Sequence, residues 1–464
     1  MNLGFIESKT FDEVAVGDSA HTEHVLTTDD AMAFASISGF NSVLNQEELI
    51  QRAGGIPPTG PNMWCASLVS GLFSMNIPGP GVTLTSINLE FHNRIRTGDH
   101  IIVKVEVTSK EEATKVINFD CEAHDGKGVS IFTGTAKVIA PAEKRRWSTL
   151  PVPQVIIKNP YRRYQELIAR ATARPAVRTA IVWPCDEVSL GGAIQAYKDK
   201  LILPVLVGAE EKIRDVAKTL KLDLEGVRIV DVGDSRTAAV KGVELARIGE
   251  VEMLMKGSLH TDELMSAVVS REGGMRVGRR ISHIFALDVP MYHKTLFVTD
   301  AAINIQPDLE TKISILQNAI DAMVKLEVPH PKVAILSAVE SVNPAIPSTL
   351  EAAALCKMVD RGQITGAIVD GPLAFDNAIS SDAAKIKKIS SRVSGDVDLL
   401  MVPNLEAGNI LFKELQYLAG ALAAGVVVGA KVPIVLTSRA DGELARMASC
   451  ALGVLLSKPA IVRE

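Results

Sequence analysis

The sequence has few cysteines, and none of them lies close to another. They are Cys65, Cys121, Cys185, Cys356 and Cys450, with no C-x-x-C pair among them. This spacing favours reduced thiols in a cytoplasm over a disulfide framework or a zinc site. We therefore interpret the cysteines as core or incidental residues, and we expect a cytoplasmic protein that holds no metal.

Blocks of like charge and long apolar runs are also missing. The formal net charge is −5, and the Lys and Arg residues are scattered, so the basic surface of a nucleic-acid-binding protein is not indicated. The longest uncharged run, residues 415–430, is shorter than the roughly 20 residues that a membrane helix needs. The N-terminus has an acidic residue at position 7 and lacks the order of a signal peptide. We expect neither nucleic acid nor a membrane as a partner, and no export.

Four common catalytic motifs are absent. The chain has no G-x-x-x-x-G-K-[ST] phosphate loop, and the glycines of SREGGMRVGRR, residues 270–280, do not form G-x-G-x-x-G after a strand. It also has no G-x-S-x-G and no H-E-x-x-H. These absences disfavour nucleotide hydrolysis and dinucleotide binding through those motifs, a hydrolase triad and a zincin site.

What is present is enough apolar sequence for several cores. Hydrophobic residues make up 47% of the 464 residues and charged residues 22%, which is typical of folded domains. At about 150 residues per domain, the length predicts roughly three compact units. From about residue 84 to 140 apolar and polar residues alternate as in antiparallel strands, and the preceding PNMWCASLVSGLFSM, residues 61–75, predicts a buried helix. We expect a helix wrapped by an antiparallel sheet.

A linker is predicted at residues 140–154, where proline, alanine and charge mix without periodicity. After it, short β-branched runs alternate with amphipathic helical stretches, which predicts a mainly parallel sheet covered on both faces, in two lobes. The runs are TAIVWPC, LILPVLVG, VRIVDVG, EMLMKG, HIFALDV, TLFVTD, KVAILSA, GAIVDG, DLLMVP, GVVVGA and PIVLT.

Polar residues just after these runs are the first candidates for a site, because ligands of open α/β sheets bind at the carboxyl ends of strands. In LMKGSLHT, the residues Lys256, Gly257, Ser258 and Thr261 could cradle an anion on backbone N–H groups at a helix start, or could form an ordinary capped turn. In IVLTSRADGELARM, Ser438 and Arg439 directly follow a strand. Their hydroxyl and guanidinium could hold a phosphate and polarise a carbonyl oxygen.

Acidic and amide residues follow three further runs. They could be helix caps, turn formers or general bases, and residue type does not separate these roles. They are Asp300 and Asn304, Asp370 and Asp376, and Glu406 and Asn409.

From about residue 153 onward the chain resembles the phosphate acetyl/butyryltransferases, through KGSLHTDEL, TDAAINIQPDLETK, AILSAVESVNPAIPST, VDGPLAFDNAIS, VPNLEAGN and LTSRAD in order. The resemblance implies a two-lobed, isocitrate-dehydrogenase-like α/β subunit with its active cleft between the lobes, usually dimeric. It implies that Arg439 binds phosphate, that Ser438 donates to the oxyanion or the thiolate, and that a carboxylate such as Asp441 accepts a proton. The spacing of Asp441 from the serine differs from that in acetyl-specific relatives.

The first 145 residues resemble the MaoC-like enoyl-CoA hydratases, which have a hot-dog fold, through TTDDAMAFASISG, PNMWCASLVSGL, IPGPG and LEFHNRIRTGD. Active relatives carry S-G-D-x-N-P-[LIV]-H where this chain has SGFNSVLN. Phe40 therefore takes the position of the catalytic Asp and Asn45 that of the His, and neither Asn41 nor Asn45 exchanges a proton near neutral pH. We interpret Asp29 and Asp30 as a helix cap.

The sequence thus predicts a hot-dog domain at residues 1–145, without hydratase activity, and a phosphate acyltransferase domain at residues 153–464. The expected substrates are acyl-CoA and inorganic phosphate, with no cofactor beyond coenzyme A as substrate and product, in a homo-oligomer that is a dimer or larger. Two alternatives stay open. The first domain could still hydrate enoyl-CoA, or the whole protein could be a silent acyl-CoA-binding scaffold.

Overall fold

The computed structural model of the chain describes residues 5–39, 62–148, 162–270, 274–436 and 442–457. The chain divides into two compact units, residues 1–158 and 159–464. Several predicted positions lie outside the described residues, namely Phe40, Asn41 and Asn45 of the hydratase-like loop and Ser438, Arg439 and Asp441.

The first unit is built on a five-stranded antiparallel sheet. Its strand order is β2-β4-β5-β6-β3, and β1 and β7 pair separately as a two-stranded sheet. The strands are β1 (Phe5–Glu7), β2 (Ser19–Val25), β3 (Thr83–Phe91), β4 (His100–Glu111), β5 (Val116–Asp125), β6 (Ser130–Ile139) and β7 (Arg146–Ser148).

A helix packs on this sheet and fills the core of the unit. Helix α2 (Asn62–Met75) buries Trp64, Val69 and Phe73, and the Phe73 ring meets Phe119 of β5 edge to face at 4.9 Å. Strand β4 contributes Val103, and the residues at alternate positions along it, to the same core. The prediction of a buried helix against an antiparallel sheet is confirmed, and this is the arrangement expected of a hot-dog fold.

Helix α1 (Thr28–Ser38) begins with a cap formed by Asp30, one of the two residues expected there, and by Thr27, which was not predicted. Thr27 is the N-cap residue and its side chain accepts a hydrogen bond from the backbone N–H of Asp30, while the Asp30 carboxylate accepts from the Thr27 backbone. Gly39 ends the helix in the left-handed conformation at φ 73°, which favours glycine.

The second unit contains one continuous sheet of eleven strands, and all eleven predicted runs form strands. The order is β10-β9-β8-β11-β18-β17-β12-β13-β16-β14-β15. The strands are β8 (Val177–Val182), β9 (Ile202–Gly208), β10 (Arg228–Asp231), β11 (Met253–Lys256), β12 (Ser282–Asp288), β13 (Leu296–Thr299), β14 (Lys332–Leu336), β15 (Ile368–Leu373), β16 (Leu399–Met401), β17 (Leu422–Val428) and β18 (Ile434–Val435).

Helices cover both faces of this sheet, as predicted. In β11, Met253 and Met255 belong to one apolar cluster while Leu254 between them belongs to another, so alternate residues of one strand enter opposite cores. The helices are α3 (Arg162–Thr172), α4 (Glu187–Lys198), α5 (Glu210–Thr219), α6 (Ser235–Arg247), α7 (Thr261–Val269), α8 (Leu309–Lys325), α9 (Pro347–Asp360), α10 (Phe375–Ile379), α11 (Ser381–Ile386), α12 (Leu405–Tyr417) and α13 (Glu443–Leu456).

The direction of the strands reverses at the centre of the sheet. Strands β10, β9, β8, β11 and β18 run parallel, and so do β13, β16, β14 and β15. Between them, the β18/β17, β17/β12 and β12/β13 pairs are all antiparallel. Because three reversals separate the two parallel groups, the strands of the two groups run in opposite directions. The carboxyl ends of one group therefore lie on the same side of the sheet as the amino ends of the other.

Among the described residues, no helix combines the length and the apolar character needed to cross a bilayer.

Candidate functional site

Three neighbouring parallel strands, β8, β11 and β18, end at the same level of the sheet. Lys256 at the end of β11 pairs with Val182 of β8, and Met255 pairs with Val435 of β18. Gly257 and Leu436, which directly follow β11 and β18, therefore lie at the same end of the two neighbouring strands. The segment 437–441 follows Leu436 directly and lies outside the described residues.

The loop after β11 is held against the end of β8 by three hydrogen bonds. The backbone N–H of Gly257 donates to the Val182 carbonyl over 2.8 Å, and the backbone N–H and hydroxyl of Ser258 both donate to the Trp183 carbonyl over 2.9 Å. A side chain at position 257 would collide with these carbonyl oxygens, since a Cβ there would lie 2.5 Å from the Val182 oxygen. Glycine is required by this close approach.

Lys256 and Thr261 lie at the two ends of this loop. Lys256 is only 8% exposed, and its Nζ donates to the carbonyl oxygens of Gly257 and Leu259, 3.2 Å away in each case. The ammonium therefore helps to fix the loop from within. Thr261 is the first residue of α7, so the free N–H groups of a helix start are present where the sequence predicted them.

Asp300 and Asn304 form a second loop, directly after β13. The Asp300 carboxylate accepts hydrogen bonds from the backbone N–H groups of Ala302 and Ile303 and from the Asn304 amide. Desolvation of this nearly buried group raises the pKa of Asp300, although those hydrogen bonds oppose the shift. Asn304 also donates to the Ile281 carbonyl over 2.9 Å, which ties the loop to the start of β12.

Asp370 differs from the prediction that it follows a strand, whereas Asp376 does follow one. Asp370 lies inside β15, where its carboxylate accepts from the Gly371 N–H over 2.8 Å. The strand continues through Pro372 because β15 is at the edge of the sheet, where a proline removes no required ladder bond. Asp376 lies in the first turn of α10 and pairs with Lys387, whose hydrogen bond lowers the pKa of the Asp376 carboxyl.

Glu406 and Asn409 belong to the first turns of α12, which begins after β16. Asn404 caps this helix, and Glu406 is exposed in its first turn. The Asn409 amide donates to the Ala301 carbonyl at 3.4 Å, so this helix start lies beside the loop that contains Asp300. The loop with Asp300 and Asn304 thus lies beside the helix start with Glu406 and Asn409. Both follow strands that run opposite to β11, which is followed by the Gly257 and Ser258 loop.

A cavity of about 710 Å³ lies near the carboxyl ends of β14 and β16. It is mainly apolar, and its polar side chains are Ser337 and Glu414. Strand β16 is four strand spacings from β18, roughly 19 Å at about 4.8 Å per spacing. A group of the size of a butyryl chain bound in this cavity could not react near the end of β18.

Sequence reasoning missed the role of Trp183, whose backbone carbonyl accepts two hydrogen bonds from Ser258. A backbone acceptor leaves no mark in residue type, although the positive φ of 58° at this tryptophan shows that the chain turns sharply here. Among the described residues, no group of three His, Cys, Asp or Glu side chains is arranged to hold a metal ion.

Comparisons with known proteins find one family. A family model described as "Phosphate acetyl/butaryl transferase" matches residues 234–453. A phosphate acetyltransferase of Rhizobium meliloti is 58% identical over 293 residues, which are 63% of this chain and 93% of the relative. A phosphate butyryltransferase of Clostridium acetobutylicum is 37% identical over 294 residues, 63% of this chain and 98% of the relative.

Among solved structures, a branched-chain phosphotransacylase from Enterococcus faecalis V583 is 31% identical. It superimposes with a TM-score of 0.55 and covers 60% of this chain and 98% of its own. The chain therefore belongs to the phosphate acetyl/butyryltransferase family.

Proposed function

We propose that the protein is a phosphate acyltransferase, which converts acyl-CoA and inorganic phosphate reversibly into acyl phosphate and free CoA. The acyl group is acetyl or butyryl. The observation that carries the proposal is the shared end of β11 and β18, because it brings the KGSLHT loop beside the strand that leads to Ser438 and Arg439. Ser438 is two residues beyond Leu436 in the sequence.

The reaction asks for a nucleophilic phosphate oxygen held close to the thioester carbonyl carbon. Arg439 binds the phosphate through its planar fork of donors and keeps it within about 3.5 Å of that carbon. The new C–O bond forms as the C–S bond breaks, and the CoA thiolate leaves. Ser438 donates a hydrogen bond to the developing oxyanion or to this thiolate, and a carboxylate such as Asp441 accepts the phosphate proton.

The KGSLHT loop supplies the fixed surroundings for this step. Backbone N–H groups at the start of α7 and the hydroxyl of Thr261 favour an anion there. The loop is held rigid by Lys256, by the Ser258 hydroxyl, which donates to the Trp183 carbonyl, and by the close packing of Gly257. The other polar residues of the sequence analysis follow strands of the second parallel group or lie within them. Their role is confined to structure or to remote parts of coenzyme A; they are Asp300, Asn304, Asp370, Asp376, Glu406 and Asn409.

The reversal of strand direction supports a two-lobed arrangement of residues 153–464, with one parallel group of strands in each lobe and a cleft that excludes water from the labile acyl phosphate. Residues 1–145 form a MaoC-like module. It lacks the carboxylate and imidazole of a hydratase at positions 40 and 45, and it serves in assembly or acyl-CoA docking. The protein is a homo-oligomer, a dimer or larger.

The test of the proposal is release of thiol from acetyl-CoA or butyryl-CoA that depends on added phosphate. Ser438→Ala and Arg439→Ala should each lower kcat about 10²- to 10³-fold, because each removes a group that stabilises charge in the transition state. Ser235 and Arg236 form a second Ser-Arg pair at the start of α6 and provide matched controls. Turnover close to wild type in both Ser438→Ala and Arg439→Ala would contradict the assignment.

The two alternative functions are separated by simple assays. A scaffold would bind acyl-CoA without releasing thiol in phosphate. A bifunctional enzyme would hydrate crotonyl-CoA, which the full chain should fail to do, because no side chain at positions 40, 41 or 45 exchanges a proton near neutral pH.

A further inference from the structure

We infer that the exposed side of helix α12 pairs with the same helix of a second copy of this chain, around a two-fold axis that passes between Lys413 and Glu414. The inference rests on the homo-oligomer in the proposed function, and it assigns a surface that joins two copies. It starts from four exposed residues of the helix, which we call the α12 stripe: Ile410, Lys413, Glu414 and Tyr417.

The opposite side of α12 holds the helix on the sheet. Leu415 is buried in the apolar cluster on this face of the sheet, and Leu411 packs against the same cluster. The ring of Phe412 stacks on Phe285 of β12, with 3.9 Å between the ring centroids. Positions 410, 413, 414 and 417 follow the three- and four-residue spacing of a helix, so they form one continuous surface. The α12 stripe is therefore displayed on a firmly packed helix.

The α12 stripe exposes large apolar side chains. Ile410 is 66% exposed and Tyr417 is 72% exposed. The exposed faces of three other helices carry ion pairs within the helix instead; these are Glu210–Arg214 on α5, Lys241–Glu244 on α6 and Lys357–Asp360 on α9. Neighbouring exposed apolar side chains mark a surface that another molecule covers.

The two charges in the middle of the α12 stripe have no partner within the described ranges of the chain. Neither Lys413 nor Glu414 forms an ion pair or a side-chain hydrogen bond there. They are adjacent and opposite in sign. A partner that matches this surface must therefore offer a carboxylate and an ammonium side by side, between apolar groups. An anionic membrane would attract Lys413 but repel Glu414, so it fits less well.

A second copy of α12 supplies this match, because the order of residues in the α12 stripe is self-complementary. In an antiparallel helix pair around a two-fold axis, each residue faces the one equally far beyond the axis. With the axis between positions 413 and 414, Lys413 faces Glu414 of the partner subunit. Ile410 likewise faces Tyr417 of the partner subunit. Symmetry repeats each contact, so opposite charges meet twice and apolar side chains meet twice.

The surface beside the α12 stripe is also apolar. At 1.5 Å per residue, α12 is roughly 20 Å long, and one face of it is smaller than the roughly 800 Å² per partner that a stable interface buries. The cavity of about 710 Å³ borders the helix at Leu411, Leu415 and Leu418, and Phe375 of α10 also lines it. Leu418 is 83% exposed, and Phe375 is exposed as well. The contact between the copies therefore extends beyond α12 onto these groups.

The first test measures the molar mass of the full chain by light scattering. Ile410→Glu should lower the mass to half of the wild-type value, because it buries an unpaired carboxylate at both symmetric contacts with Tyr417 of the partner subunit. Val240→Glu on α6 is the matched control, since Val240 is 61% exposed, and it should keep the wild-type mass. Both side chains are exposed, so thermal unfolding of the two variants should be similar.

The second test exchanges the charges of the α12 stripe and measures dissociation constants by sedimentation equilibrium. Lys413→Glu places like charges against each other at both symmetric contacts, and so does Glu414→Lys. Each variant alone should associate at least about 10-fold more weakly than wild type. In an equal mixture of the two variants, every contact again joins opposite charges, and association should recover. Only pairing of this helix with its own copy predicts that recovery.

A wild-type molar mass for Ile410→Glu, a monomeric wild type, or a mixture that associates no better than its components would each overturn the inference. Phosphate-dependent thiol release, measured on the same samples, keeps these outcomes distinct from failure of the proposed chemistry. If wild type associates through α12 but releases no thiol, the acyl transfer fails and the interface stands. If wild type releases thiol while Ile410→Glu keeps the wild-type mass, the interface fails and the chemistry stands.

Discussion

Gly257→Ala is the substitution that most directly probes the loop between β11 and α7. The added Cβ would lie 2.5 Å from the Val182 carbonyl oxygen and closer still to that of Trp183, at least 0.5 Å inside the 3.0 Å that real Cβ contacts respect. Both obstacles are backbone atoms at the end of a central strand, so they cannot rotate away. The loop itself must move.

The size of the effect follows from what that movement breaks. The Gly257 and Ser258 bonds to the Val182 and Trp183 carbonyls are 2.8–2.9 Å long and would be stretched together. Overpacking of this kind costs about 1–3 kcal/mol of folding free energy. A shift approaching 1 Å in a group that positions a substrate lowers the rate about 100-fold.

The assay compares phosphate-dependent thiol release and thermal unfolding for Gly257→Ala and Gly233→Ala. Gly233 has open space around its Cβ position and no left-handed backbone, so its alanine variant controls for the substitution itself. Gly257→Ala should lose about two orders of magnitude in kcat/KM, and Gly233→Ala should lose nothing. A Gly257→Ala enzyme with wild-type turnover and unfolding temperature would refute the argument that this loop shapes the site.

Two further predictions concern stability. The Asp396 carboxylate interacts with Lys294, Lys332 and His293. Hydrogen bonds from Lys294 and Lys332 lower its pKa most strongly from the ordinary value of 3.8. These contacts therefore stabilise the folded protein above about pH 4, and the stabilisation is lost as the pH falls through the lowered pKa of the folded state. Asp396→Asn should lower the free energy of unfolding by about 1 kcal/mol at pH 7, a modest amount because the carboxylate is half-exposed. In thermal unfolding, the difference from wild type should disappear below about pH 4. A difference that does not depend on pH would exclude the ion pairs as its cause. Gly134→Ala should destabilise the first unit by about 1–3 kcal/mol, because its Cβ would lie 2.8 Å from Leu89 Cα on β3, whereas Gly71→Ala on α2 meets nothing and serves as its control. Equal unfolding temperatures for these two variants would contradict the pairing of β3 with β6.

The sequence located the strands well because unbroken apolar runs mark buried strands whatever their direction. It could not show that β17 and β12 run against their neighbours, since an apolar run is the same in a parallel and an antiparallel pair. For this reason the sequence does not separate the candidates after β11 from those after β13 and β16, whereas in the structure these strands run in opposite directions.

Local chemistry was easier to predict than distant contacts. Asp29 and Asp30 predicted a cap at the start of α1, and Asp30 forms one with Thr27. The burial of Lys256 and the need for glycine at position 257 depend on the end of β8, more than 70 residues away in sequence, so neither could be inferred from the loop alone.

The central claim is that phosphate attacks a CoA thioester, and phosphorus NMR of the products tests it most directly. With acetyl-CoA, inorganic phosphate and the full chain, an acetyl phosphate signal should grow in step with free thiol, and adding acetyl phosphate and CoA should regenerate the thioester. Release of thiol without any acyl phosphate, at a rate independent of phosphate concentration, would show simple thioester hydrolysis and would contradict the account.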